Sequence, residues 1–146
     1  MVGYKVKIID ESKEEILFGH SEADKNTIKK VDIMFDTIDE DVYSKGAGML
    51  ARMTIEGDIK TDGSNTDCLM KLFNWAKSEE SEEQYRTVEV EVWENTTRLR
   101  VYNFEKMFVV DYEEIYDSRK NSQDATKFIL KLTQQENNFD KAKTFK

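Results

Sequence analysis

Gln84-Tyr-Arg-Thr-Val-Glu-Val-Glu-Val-Trp-Glu-Asn-Thr-Thr-Arg-Leu-Arg-Val-Tyr-Asn-Phe104 alternates with period two on both sides of a polar break. Val88, Val90 and Val92 share one face, and Glu89 and Glu91 take the other. Asn95-Thr-Thr97 interrupts the pattern, which resumes at Arg98 and runs into the apolar block Met107-Phe-Val-Val110. β-Branched and aromatic residues in strict alternation around a short turn predict two antiparallel strands with one wet face.

The same pattern recurs outward from this hairpin. Tyr4, Val6 and Ile8 alternate with lysines, and Glu15-Ile-Leu-Phe18 follows the polar turn Asp10–Glu14, predicting a second hairpin. Ile28 to Phe35 reads as a strand with Val31, Ile33 and Phe35 inward. Met49 to Ile59 alternates Met49, Ala51, Met53 and Ile55 against Leu50, Arg52, Thr54 and Glu56, with a bulge expected at Gly57 and Asp58. Thr126 to Thr133 is the last strand, with Phe128, Leu130 and Leu132 on one face. Residues 135–146 read as a mobile tail.

One segment switches to helical period. Leu69, Leu72, Phe73 and Ala76 fall on one stripe, with Ser64 as the expected cap, Asp67 completing a capping box and an end near Glu79. Trp75 lies off that stripe, as an exposed contact residue or buried against a neighbouring loop. The sum is mainly β, a β-barrel or sandwich of antiparallel strands with one flanking α-helix, in a single domain over residues 1–146.

Composition narrows function. The net charge of −8 argues against nucleic-acid binding, which needs clustered Lys and Arg on phosphates. The single cysteine, Cys68, allows no intrachain disulfide, which is compatible with a reducing cytoplasm. No apolar run reaches the roughly 18 residues of a membrane helix, and Met1–Lys7 lacks the apolar core of an export signal. Synthesis in the cytoplasm without membrane insertion is the expectation.

A search for reaction chemistry finds little. The one histidine, His20, sits beside a glycine in a polar loop without a partner at ligand spacing, so an exposed loop histidine is the simpler reading than a metal ligand or catalytic base. Cys68 at a helix start favours a thiolate, yet only His20 is available as its base, and a partly buried structural cysteine is the simpler reading. Asp36, Asp39, Glu40 and Asp41 lack the glycine and terminal glutamate of a calcium loop. Gly46-Ala-Gly48 precedes a strand and lacks the ending of a phosphate loop. The expectation is therefore a non-enzyme, with no catalytic residues, metal or cofactor.

Four segments in order carry a resemblance: Gly46-Ala-Gly-Met-Leu-Ala-Arg-Met-Thr-Ile-Glu56, Cys68-Leu-Met-Lys-Leu-Phe-Asn-Trp75, the strand pair ending in Leu99-Arg-Val-Tyr-Asn-Phe-Glu-Lys-Met-Phe-Val-Val-Asp-Tyr-Glu-Glu114, and Phe128-Ile-Leu-Lys-Leu-Thr-Gln-Gln-Glu136. This pattern resembles the Hcp and phage tail-tube family, the inner-tube subunits of type VI secretion systems and related contractile injection machines. The resemblance rests on element order rather than an invariant motif. It implies a small β-barrel whose hexameric rings stack into a hollow tube, with sheath, spike or baseplate proteins as further partners. It also implies a place in a phage-tail-like particle, or expulsion without a signal peptide. In such proteins an extended loop reaches the next ring. Asp39, Asp41, Tyr43, Lys45, Gly46, Gly48 and Met49 occupy that place here and become the candidate ring-stacking residues. The alternative from the residues themselves is a β-barrel binding module. That reading asks for an apolar cavity inside the barrel, or a groove lined by Trp75 and Trp93, to take a small ligand or a protein partner.

Overall fold

A computed structural model describes residues 2–21, 24, 26–37, 49–60, 63–78, 84–119, 125–134 and 143–145. The described strands are β1 Val2–Ile9, β2 Glu15–Phe18, β3 Ile28–Thr37, β4 Met49–Asp58, β5 Arg86–Glu94, β6 Thr97–Tyr116, β7 Thr126–Gln134 and β8 Lys143–Phe145. One helix, α1, covers Thr66–Ala76. The strands form one antiparallel sheet in the order β2-β1-β5-β6-β7-β4-β3, with β8 paired to β6.

The sheet wraps around its own apolar face. Phe18 of β2 and Phe128 of β7 are separated in that order by three strands, yet their ring centroids lie 5.4 Å apart. The alternation explains why: Val6, Ile8, Ile16, Phe18, Val88, Val90, Phe128, Leu130 and Leu132 are buried in one cluster. A sheet with a single apolar face buries most of it by curling, since no second sheet is present among the described residues to cover it.

β6 is the organising element. Its first half pairs with β5, from Thr97 opposite Glu94 to Met107 opposite Arg86. Its second half pairs with β7, from Met107 opposite Gln134 to Tyr116 opposite Thr126. Two irregularities accompany the hand-over. Between Phe104 and Met107 β6 takes one more residue than β5, and Lys106 there adopts φ 59°. Between Val109 and Asp111 it takes one more than β7, leaving Val110 as the extra residue. Each extra residue bends the strand and lets one chain serve both parts of the sheet.

The structure corrects several local expectations. The bulge near Gly57 lies in the partner strand: Ile28 pairs with Gly57 and Lys30 with Glu56, so Lys29 of β3 is the extra residue. Gly57 itself is fixed by close packing, because a Cβ there would stand 2.7 Å from the Phe128 ring. Phe35 is 49 % exposed rather than inward, although its ring meets Phe104 edge-on at 6.3 Å. The helix begins after Asn65 and makes no side-chain capping bond, so the box predicted on Ser64 and Asp67 does not form. Asn65 instead is buried and bridges the chain before the helix: its Oδ1 accepts from the Lys60 amide at 3.0 Å, and its Nδ2 donates to the Asp58 carbonyl at 2.8 Å. The helix ends at Ala76, before Glu79. Lys143–Phe145, expected in the tail, pairs with β6.

The helix stripe is also rotated from the predicted one. Leu69, Leu72 and Trp75 are its buried residues, whereas Phe73 is 48 % exposed. Trp75 resolves as core: its indole N–H donates to the Gln84 carbonyl at 2.8 Å, and the Arg86 guanidinium lies 5.3 Å from its ring centroid. A tryptophan satisfied at its one polar atom gains by burial, and this hydrogen bond set the choice that helical spacing left open.

Candidate assembly surfaces

The interior leaves no room for a ligand of the barrel-binding kind. Its centre is filled by Phe18, Phe104, Phe128, Met53, Met107 and the flanking aliphatic residues, all buried. Trp75 is 1 % exposed, so it shares no groove with Trp93. The alternative of a small ligand held inside the barrel is set aside on this packing.

Groups with chemical potential are quiet or scattered. His20 is exposed in a bend. The Cys68 thiol donates to the Leu17 carbonyl at 3.4 Å, and burial pushes its pKa up, away from a reactive thiolate. Among the described residues no group of three His, Cys, Asp or Glu is placed to hold a metal ion. No helix among them is long and apolar enough to cross a membrane.

The surface offers edges and apolar residues instead. Beyond Met107 the edge of β6 that faced β5 is paired by no strand among the described residues. That stretch exposes Val110 and Tyr116, at 53 % and 64 %. On the same segment Glu114 is held by two phenols: Tyr112 donates to its Oε1 at 2.6 Å and Tyr116 to its Oε2 at 2.9 Å. Burial, then the Glu114 carboxylate, raises the pKa of Tyr112 far above the usual phenol range. Both donors therefore keep their protons, and three alternate side chains of one strand are locked together. On the outer face of α1, Met70 and Phe73 are exposed at helical neighbour spacing, at 56 % and 48 %.

A third surface carries charge. On the wet side of β1 and β5, Lys5 stands opposite Glu91 and Lys7 opposite Glu89. Arg98 reaches Glu91 at 3.3 Å, and Lys7 reaches Glu15 at 3.8 Å. At the hairpin end, Trp93 opposite Gly3 helps line a surface cleft of about 620 Å³.

Of the candidate stacking residues, Asp39, Asp41, Tyr43, Lys45, Gly46 and Gly48 lie outside the described residues. Met49 is the first residue of β4, paired with Thr37. The exposed pair on α1 was not among the candidates, and Trp93, named for a groove shared with Trp75, lines a surface cleft without it. Phe73 falls on the predicted core stripe because helical spacing fixes relative position, not which side faces in.

No protein-family model matches the chain, and no curated protein matches it in sequence. Solved structures do match in shape. A crystal structure of an Hcp protein superimposes with a TM-score of 0.65 over 99 % of this chain and 97 % of its own, at 11 % identity. This chain has the fold of Hcp. Hcp1 from Salmonella typhimurium aligns at TM-score 0.55 and 11 % identity, over 89 % of this chain and 81 % of its own. A chain of the sheath–tube complex of an extracellular contractile injection system aligns at TM-score 0.56 and 14 % identity, over 97 % and 87 %. The Hcp fold is thus shared across nearly the whole chain while little of the sequence is. Alternation and core volume suffice to specify the wrapped sheet.

Proposed function

We propose that the chain is a structural subunit that forms hexameric rings, stacked into the inner tube of a phage-tail-like contractile particle or a type VI-like secretion system. One observation carries the reading: the whole chain, not a part of it, takes the Hcp fold, which also appears in the sheath–tube complex of a contractile injection system. The surfaces support it. A subunit that repeats in a ring needs two complementary patches, and an unpaired strand edge beside exposed Val110 and Tyr116 can extend a sheet into a neighbour. The cluster Tyr112–Glu114–Tyr116 holds that edge in one conformation before assembly. The chain works by self-association rather than catalysis. Its other partners are the sheath, spike or baseplate components of the same particle, and Asp39–Gly48 is a ring-stacking segment.

At hundreds of micromolar the chain is expected to sediment at about six times the 17.1 kDa subunit mass. Electron microscopy is expected to show rings, singly and in stacks. A strictly monomeric particle under these conditions would sink the proposal. The double variant Met70→Ser with Phe73→Ser tests the helix face as a ring contact. Both side chains are half exposed, and two serines also lower helix propensity, so the isolated fold should change by about 1–2 kcal/mol. The ring-to-monomer midpoint is expected to move to at least tenfold higher concentration. An unchanged midpoint would remove α1 from the interface.

A further inference from the structure

The cleft at the end of β5 holds a positive charge that pairs with no carboxylate among the described residues. Lys5 lies opposite Glu91 on β1, but Glu91 is engaged by Arg98 at 3.3 Å. The Lys5 ammonium instead sits 4.8 Å from the centroid of the Trp93 ring, with no carboxylate within ion-pair distance among the described residues. The Trp93 indole N–H is buried and has no acceptor. Among the described residues lining the cleft Lys5 is the one that is charged, in a chain of net charge −8. Gly3 opposite Trp93 leaves open space where a side chain would stand. The cleft therefore presents an ammonium beside a buried, unsatisfied indole N–H, and no carboxylate among the described residues satisfies the ammonium.

We infer that this cleft receives the acidic run Glu79-Glu-Ser-Glu-Glu83 of a second copy of the chain. The inference rests on the tube reading and assigns it an axial contact. Direction and free charge select this occupant. The cleft lies at the Glu94 end of β5, and the acidic run precedes Gln84, next to the Arg86 end, in sequence. Nine strand residues, about 30 Å, separate the two ends. Acid at one end and cation at the other give a heterologous contact that repeats along β5 without closing, which stacks copies head to tail. The acidic turn Asp10–Glu15 also lies at the Arg86 end, because Ile9 pairs with Thr87, but its carboxylates are engaged: Glu11 by Lys106, Glu14 by Lys71, Glu15 by Lys7, and Asp10 by the Ser12 hydroxyl and the Glu14 amide. A third acidic stretch, Asp36–Asp41, begins in the last two residues of β3, whose C-terminal end lies at the cleft's own end of the sheet because β3 runs in the same direction as β5.

Two arms test this. In the first, a synthetic peptide spanning Ser78–Gln84 is titrated into the dilute, unassembled full chain and tryptophan emission is followed. Trp75 is shielded in the core, so the signal reports Trp93. Saturable binding is expected. It should weaken at least tenfold with Lys5→Glu, with 0.5 M salt and with a peptide carrying Gln at all four Glu positions. Gly3→Leu, which fills the cleft without backbone strain, should block it. In the second arm, Lys5→Glu is expected to leave single rings but shorten stacks at least tenfold by electron microscopy. The chain combining Lys5→Glu with Lys at positions 79, 80, 82 and 83 should regain long stacks. Peptide binding indifferent to Lys5→Glu, or stacks of unchanged length, overturns the inference. Absence of rings in the unsubstituted chain overturns the tube reading instead, and the peptide arm still decides the inference by itself.

Discussion

Replacing Trp75 by alanine is expected to cost about 3–5 kcal/mol, measured as the shift in a urea unfolding curve. The residue is 1 % exposed and among the largest fully buried side chains. Its removal opens a cavity between α1 and the sheet. It also deletes the donor to the Gln84 carbonyl, at 2.8 Å, and the surface on which Arg86 rests. Arg86 Nε and Nη1 are already buried without hydrogen-bond partners, so losing the aromatic face leaves the Asp10 carboxylate to offset more of the guanidinium's desolvation. Against a total stability of about 5–15 kcal/mol, one substitution then consumes a large part of the margin. Trp75→Phe keeps most of the volume and loses the hydrogen bond. It should cost about 1–3 kcal/mol, the desolvation of the unpaired carbonyl. If Trp75→Ala shifts stability by under about 1 kcal/mol, the indole is not the anchor of α1.

Gly19→Ala is expected to destabilise by about 2–4 kcal/mol, combining a left-handed backbone cost with overpacking. Gly19 follows β2 with φ +80°, and a Cβ there would collide with the Tyr4 carbonyl oxygen of β1. The backbone of Tyr4 has little freedom to yield, because β1 is paired with both β2 and β5. Gly19 also donates its N–H to Asp24 Oδ2 at 2.6 Å, fixing the turn from the other side. Gly3→Ala is the matched control. Nothing lies within 4 Å of its Cβ position, so its effect should stay within about 0.5 kcal/mol. Equal unfolding midpoints for the two variants would mean that the turn after β2 relaxes freely.

Strands declare themselves in this sequence because their faces alternate. Val88, Val90, Phe128, Leu130 and Leu132 were placed correctly from period two alone, and all are buried. The antiparallel sheet and its accompanying helix followed from them. What alternation does not encode is the count of residues between paired positions. The extra residue at Lys29 and the left-handed turn at Lys106 carry no composition signal, since neither is Gly, Asn or Asp. The helix stripe failed at Phe73 and Trp75 because both are large and apolar, and only the distant Gln84 carbonyl distinguishes them. Ser64 and Asn65 are equally good caps by preference, but the Asn65 side chain was drawn to the Lys60 amide and the Asp58 carbonyl. The assembly surfaces were least legible. An exposed Met70 and an unpaired Lys5 become visible only when the fold shows what does not cover them.

β6 has a mechanical meaning as well as a topological one. β2, β1 and β5 hang on its first half, and β7, β4 and β3 on its second. A load applied to one group of strands crosses the β5–β6 ladder, passes along the single 20-residue backbone of β6 and leaves through the β6–β7 ladder. In the proposed tube each subunit would carry axial load through this shared beam, with compliance at its three irregularities, Leu99, Lys106 and Val110.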